Sequence, residues 1–187
     1  NLPFVVQPKR QMMQWEPYTA ARTEVLHKIE SPVSVPHIVM AYPLPGEYHA
    51  DHRIAELLSE ILASGDNSRL YKKLVMEEEV ATDVSVVVPP LAWRALFEIH
   101  IVARSGASID KIINMTQQEL DACGKKIEEE ECVRSARSLR VSILEEIGCV
   151  DMLAEMLGQN EVNYEDFSRT FTRVDAYDSI RASHIAA

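Results

Sequence analysis

The segment Glu47-Tyr48-His49-Ala50-Asp51-His52-Arg53 gathers more groups capable of chemistry than any other short stretch of this 187-residue chain. His49 and His52 could share a metal, with Asp51 as a further oxygen ligand, because imidazole and carboxylate are common zinc donors. The residues that follow test that idea. Ile54, Leu57, Leu58, Ile61 and Leu62 obey the i, i+3, i+4 spacing of a helix with one apolar face. On a helix starting near Asp51, His52 projects roughly 160° from the middle of that face, which directs it to solvent. A histidine pair without a supporting structural context carries little weight as a metal motif. An independent metal-binding domain based on His49 and His52 stands as a third-ranked reading, one that predicts metal retained after dialysis.

The other chemical candidates weaken in turn. Neither His-Glu-x-x-His nor His-x-x-Glu-His occurs, so the chain alone cannot build a zinc hydrolase of either common kind. His27, His37 and His100 fall in strand-like alternation, where an isolated histidine is a packing or surface residue. The serines lack a Gly-x-Ser-x-Gly elbow, and only six glycines are available for any phosphate loop. Cys123, Cys132 and Cys149 are odd in number and too widely spaced for a Cys-x-x-Cys clamp, and they read as buried free thiols. Arg134, Arg137 and Arg140 step by three and could form an anion track. Their helix opens on Glu128 to Glu131, which suits the positive end of the helix dipole, and Glu130 can reach Arg134 at i+4. A solvated, self-neutralised helix face is the simpler reading.

Charge and composition narrow the partners. With 29 acidic against 19 basic residues the net charge is −10, which opposes a nucleic-acid backbone, and no nucleic-acid partner is expected. No apolar run approaches the length of a membrane span, and residues 1–17 lack the basic-then-apolar order of a signal peptide. At 47% apolar residues the chain can bury one core and fits a single domain. Its first residue is Asn1 rather than methionine, as expected for a piece of a longer protein.

The elements that must position these groups change character along the chain. Residues 22–30 and 36–45 read as two neighbouring strands with prolines at their margins. A helix follows from Asp51, with Gly65 as its stop, and a second covers about 67–78, capped by Asn67 or Ser68. Residues 80–88 and 93–103 read as long strands joined through Pro89 and Pro90, for about four strands in all. Helical spacing then dominates, over 108–123, 128–147 and shorter stretches near 150–157, 163–171 and 175–185. Strands followed by helices predict an α+β fold, a mostly antiparallel sheet with helices packed on one face.

Residues 41–86, AYPLPGEYHADHRIAELLSEILASGDNSRLYKKLVMEEEVATDVSV, resemble the C-terminal-type repeat domain of the insulinase/pitrilysin family of zinc metallopeptidases, which includes the mitochondrial processing peptidases. Residues 126–144, a Glu-led helix followed by basic residues, are similar to the long helix of the same family. The resemblance extends over about 16–182 and implies one repeat domain within 1–187. It further implies homologous domains that close like a clamshell on a peptide, with zinc held through His-x-x-Glu-His on an N-terminal domain that this chain lacks. The facing domain of active members supplies an Arg and a Tyr in the pattern Leu-Arg-x-x-x-x-x-x-Tyr-x-Val. Here Leu74 and Val84 match, whereas Val75 stands at the Arg position and Thr82 at the Tyr position. Valine has no donor, and threonine is too short to reach where a phenol would.

Ser68, Arg69, Leu70 and Tyr71 form the family's structural turn, with Arg69 expected on carbonyls or a carboxylate and Tyr71 in the core. The family's domains continue into a final edge strand after the segment matched by 174–187, which again points to a cropped chain. The implied function is the non-catalytic C-terminal domain of a zinc metalloendopeptidase, inactive alone, with zinc in the parent protein and none in this chain. The implied partners are a homologous peptidase domain or subunit and a peptide substrate. The alternative is a structural or assembly subunit with the same fold and no peptidase activity, as the family's respiratory-complex core subunits resemble. A bacterial periplasmic or cell-envelope location follows from the resemblance alone.

Overall fold

The computed structural model describes residues 25–185 apart from Ser31 and Tyr48. Within them three strands form one antiparallel sheet in the order β1-β3-β2, where β1 is His37–Pro45, β2 is Ala81–Val87 and β3 is Arg94–Ala103. The central strand explains the layering. Along β3, Ala95, Phe97, Ile99, Ile101 and Ala103 are buried and alternate with less buried residues, the period-2 pattern of a half-covered sheet. Burial of side chains such as Ile99 and Ile101 contributes about 1.5–3 kcal/mol each. The sheet is held to its helical layer on this face.

Residues 25–30 are not a strand, so the expected pairing of two N-terminal strands is replaced by β1 pairing with β3, His37 opposite Val102 through Pro45 opposite Arg94. The alternation Val25-Leu26-His27-Lys28-Ile29 lacks a partner among the described residues, and Ile29 is 87% exposed. Local pattern alone does not make a strand, whose backbone bonds all come from a neighbour. The rest of the expected strand, 22–24, lies outside the described residues. The hairpin through Pro89 and Pro90 is present, with β2 and β3 antiparallel.

The first helix, α1 (Ala50–Ala63), is capped by His49, whose Nδ1 accepts from the Asp51 backbone N–H at 3.3 Å. It ends at Ser64, and Gly65 takes the left-handed conformation (φ +72°) that releases the chain into the next turn. Leu57, Ile61 and Leu62 face the core. The second helix is not regular: α2 (Arg69–Tyr71) passes into a π-helical turn over Lys72–Glu77. The long helices α3 (Ile109–Lys125) and α4 (Glu129–Gly148) bury Ile112, Met115 and Cys123, and Cys132 and Ile143, respectively. Ser108 caps α3 by accepting from the Lys111 backbone N–H.

Helix α5 (Val150–Tyr164) runs longer than its apolar spacing suggests and has no fully buried residue. The last two expected helices shrink to α6 (Arg169–Thr172), a 3-10 turn over Arg173–Asp175 and α7 (Ala182–Ile185). Their reason for ordering is tertiary, because Tyr177 and Ile180 are buried in the main core.

Candidate functional site

The structural turn is built first. The Ser68 hydroxyl donates to the Gly65 carbonyl at 2.7 Å, which closes the link between α1 and α2. Leu70 is fully buried, and Tyr71 packs half-buried against the same core. Arg69 crosses to the start of α4, where its Nε and Nη2 donate to the two carboxylate oxygens of Glu131 at 2.9 and 2.6 Å. Nη2 also reaches the Lys126 carbonyl at 3.3 Å. The hydrogen bond to Glu131 is the main reason the Arg69 pKa is raised, against a lowering contribution from burial. This planar two-point pairing ties the turn after α1 to the loop between α3 and α4.

Val75 and Thr82 go to different environments. Val75 lies in the π-helical turn, 9% exposed, among the residues of the main core. Thr82 is the extra residue of a β-bulge, since Ala81 pairs with Ala103 and Asp83 already pairs with Val102. Its side chain is exposed, and its hydroxyl donates to the Val102 carbonyl at 3.2 Å. The valine has no donor to offer, and the threonine hydroxyl is engaged with backbone.

Between them, Glu79 has φ +50°, a left-handed conformation that costs an L-residue roughly 1–2 kcal/mol. Glu79→Gly is therefore expected to stabilise the protein by about 1 kcal/mol, seen as a higher urea midpoint at unchanged slope. The exposed Glu79–Arg104 pair at 3.6 Å that this substitution removes contributes little. A midpoint at or below that of the parent would show that the bend is not strained.

The helix-start histidines do not form a joint site. His49 is exposed and sits 3.3 Å from the Asp51 carboxylate. His52, expected at the surface, is instead completely buried. The expectation treated α1 as having one covered face, but α1 also meets α4 and the C-terminal segment, so its polar side is enclosed as well. His52 Nδ1 lies 3.2 Å from the Pro45 carbonyl; a carbonyl only accepts, so this nitrogen carries the proton. His52 Nε2 has no hydrogen-bond partner among the described residues, and Glu56 is 4.0 Å away. No group of three or more His, Cys, Asp or Glu that could hold a metal occurs among the described residues, so the side chains here do not fit zinc.

Beside His52 lies a buried polar cluster that sequence reasoning missed. The Glu56 carboxylate, only 7% exposed, accepts from Arg173 Nη2 at 2.6 Å and from the Tyr177 hydroxyl at 2.6 Å. Burial opposes the charge on Arg173, but Glu56, Tyr177 and Glu47 outweigh it and raise the pKa. Burial raises the Tyr177 phenol as well, and the Glu56 carboxylate adds to it, so the hydroxyl remains a donor. The one available signal was the i, i+4 spacing of His52 and Glu56 on α1. The partners lie more than a hundred residues away and left no local trace. Arg140 also turns to this segment, with Asp175 and Asp178 at 3.2 and 3.1 Å, while Arg134 and Arg137 stand exposed. The three arginines therefore form no common track.

Among the described residues one face of the sheet is open. Val39, Leu96 and Val87 are 57%, 41% and 45% exposed there, beside His37, Ser85 and a Glu98–His100 pair at 3.0 Å. The register aligns Val39 and Ser85 with His100, and Val87 with Glu98, in rows across the three strands.

Residues 3–139 match the family described as the peptidase M16 inactive domain. No curated protein sequence matches the chain. Among solved structures, a protease from Helicobacter pylori is similar at TM-score 0.75 and 15% identity, over 84% of this chain and 38% of that one. The "inactive peptidase domain of a putative zinc protease" from Bordetella parapertussis is similar at TM-score 0.74 and 19% identity, over 84% of each chain. A chain of complex III2 from Candida albicans gives TM-score 0.75 and 11% identity, over 84% of this chain and 40% of that one. This chain thus spans less than half the length of the Helicobacter and Candida chains and most of the Bordetella domain. At these identities the likeness establishes a shared fold.

Proposed function

Because the chain belongs to the peptidase M16 inactive-domain family, we propose that it is the non-catalytic C-terminal domain of a zinc metalloendopeptidase and forms part of the wall of its peptide chamber. The observation that carries this reading is the sheet face left open by the described residues, a pleated surface of alternating apolar and polar side chains opposite the face that the described helices cover. An extended peptide suits such a surface because its own side chains alternate with the same period. In this reading residues 1–187 are one repeat domain with its core at about 16–182. Zinc, its ligands and the general base belong to a homologous domain or subunit, as do the Arg and Tyr absent from positions 75 and 82. A periplasmic or cell-envelope location is part of the proposal and rests on the family alone.

The test is zinc-dependent cleavage of a quenched unstructured peptide by the complete parent protein, with and without a homologous partner subunit. Cleavage only with the partner present is expected, and Val39→Asp on the open face is expected to raise KM with kcat unchanged. No cleavage in either condition, with zinc content verified, would overturn the reading. That result would favour the second one, a structural subunit of an assembly, which the likeness to a chain of complex III2 supports.

A further inference from the structure

The side of α4 that faces away from the core carries a stripe of exposed residues, Glu130, Arg134, Arg137, Val141, Leu144 and Glu145. At 3.6 residues per turn these fall within about 60° of the direction of Val141, and the buried Cys132, Ser135 and Ile143 lie opposite. We infer that this stripe docks a second copy of the chain, with the two α4 helices antiparallel about a two-fold axis beside Val141. The open face of the sheet takes no part in this contact, which is therefore independent of the chamber wall.

The pattern of charge selects that partner. Glu130, Arg134, Arg137 and Glu145 form no hydrogen bond or ion pair among the described residues, whereas Arg140 on the same helix is held by Asp175 and Asp178. Two acidic and two basic groups leave the stripe neutral in a chain of net charge −10, so two copies can meet there without local repulsion. In a two-fold contact each residue meets the one equally far from the axis on the other side, and every pairing occurs twice. Arg137 stands four residues before Val141 and Glu145 four after, so an antiparallel copy brings its Glu145 beside Arg134 and Arg137, at both ends of the contact. Leu144 falls over the small Ser138, and Gly148, which has no side chain, leaves room for the stem of Arg134. Val141 and Leu144, 54% and 49% exposed, supply the apolar centre. A parallel copy would set Arg137 against Arg137 and Glu145 against Glu145, which like-charge repulsion opposes.

One helix per copy is a smaller contact than the roughly 1,600 Å² of a standard interface, so the dimer is expected to be weak and reversible. Analytical ultracentrifugation of the 187-residue protein over roughly 10 μM to 1 mM, at neutral pH and low salt, is expected to show the mass rising from one chain toward two. Arg137→Glu and Glu145→Arg are each expected to weaken self-association by about tenfold or more, because each sets like charges together at both ends. Mixed in equal amounts, with one of them fluorescently tagged at its N-terminus, the two variants are expected to associate with each other more tightly than either does with itself. Val141→Asp, at the axis, is expected to weaken self-association as well, and Val39→Asp, on the open face of the sheet, is not. A single chain throughout that range would overturn the proposal and leave the stripe to a different protein. So would charge reversals that leave self-association unchanged, a mixture no tighter than its components, or a loss of self-association with Val39→Asp alone.

Discussion

Replacing Glu56 with alanine is expected to lower the unfolding free energy by about 3–5 kcal/mol, measured as the urea midpoint at constant slope. The substitution removes the shared acceptor of two groups at once. Arg173 keeps its charge without its hydrogen-bonded counter-ion, and the Tyr177 hydroxyl, on a residue 1% exposed, keeps a donor without that acceptor. Leaving such groups unpaired costs more than the pair itself stabilises. The double variant Glu56→Leu/Arg173→Met separates these contributions, since exchanging both partners for apolar groups of similar volume is expected to recover much of the loss. A Glu56→Ala variant within 1 kcal/mol of the parent would mean that water reaches the pair and that α1 does not clamp the C-terminal segment.

Placing an arginine at position 75, where the proposed reading sets the family's arginine, is expected to fail for a related reason. Val75→Arg places a guanidinium at a position 9% exposed among Leu70, Leu74 and the rest of the core. A loss of at least about 3 kcal/mol, or failure to fold, is expected, because a charge placed in an apolar core is among the most destabilising single changes. Thr82→Tyr is the contrasting case. Its side chain is exposed at the bulge, so only the hydrogen bond to the Val102 carbonyl is lost, about 0.5–1.5 kcal/mol. Thermal and urea unfolding of the two single variants measures the asymmetry. If Val75→Arg unfolds at the parent's midpoint, the π-helical turn can swing that side chain to the surface.

The two variants also mark what a family pattern carries. The insulinase-type resemblance, read mainly from Ala41 to Val86, agrees with the family matched over 3–139, and the α+β architecture follows from it and from the spacing. The strand over 81–87, its partner over 94–103 and the helices α1, α3 and α4 were legible because each is written in a period of two or about 3.6 residues. The π-helical turn and the bulge at Thr82 were not, because one inserted residue alters local bonding without disturbing the apolar spacing.

By itself, then, the sequence determined the family and the order and type of the main elements, and it placed valine and threonine at positions 75 and 82. These depend on neighbours within a few residues, where side-chain direction repeats with the backbone. Only the tertiary structure decided that residues 25–30 are not a strand, that His52 is enclosed, and that Glu56 holds Arg173 and Tyr177. Each of those outcomes depends on which distant surface arrives. A helix shows one face as apolar but does not say what will cover the other, and a buried carboxylate is recognisable only once its partners have come from the far end of the chain.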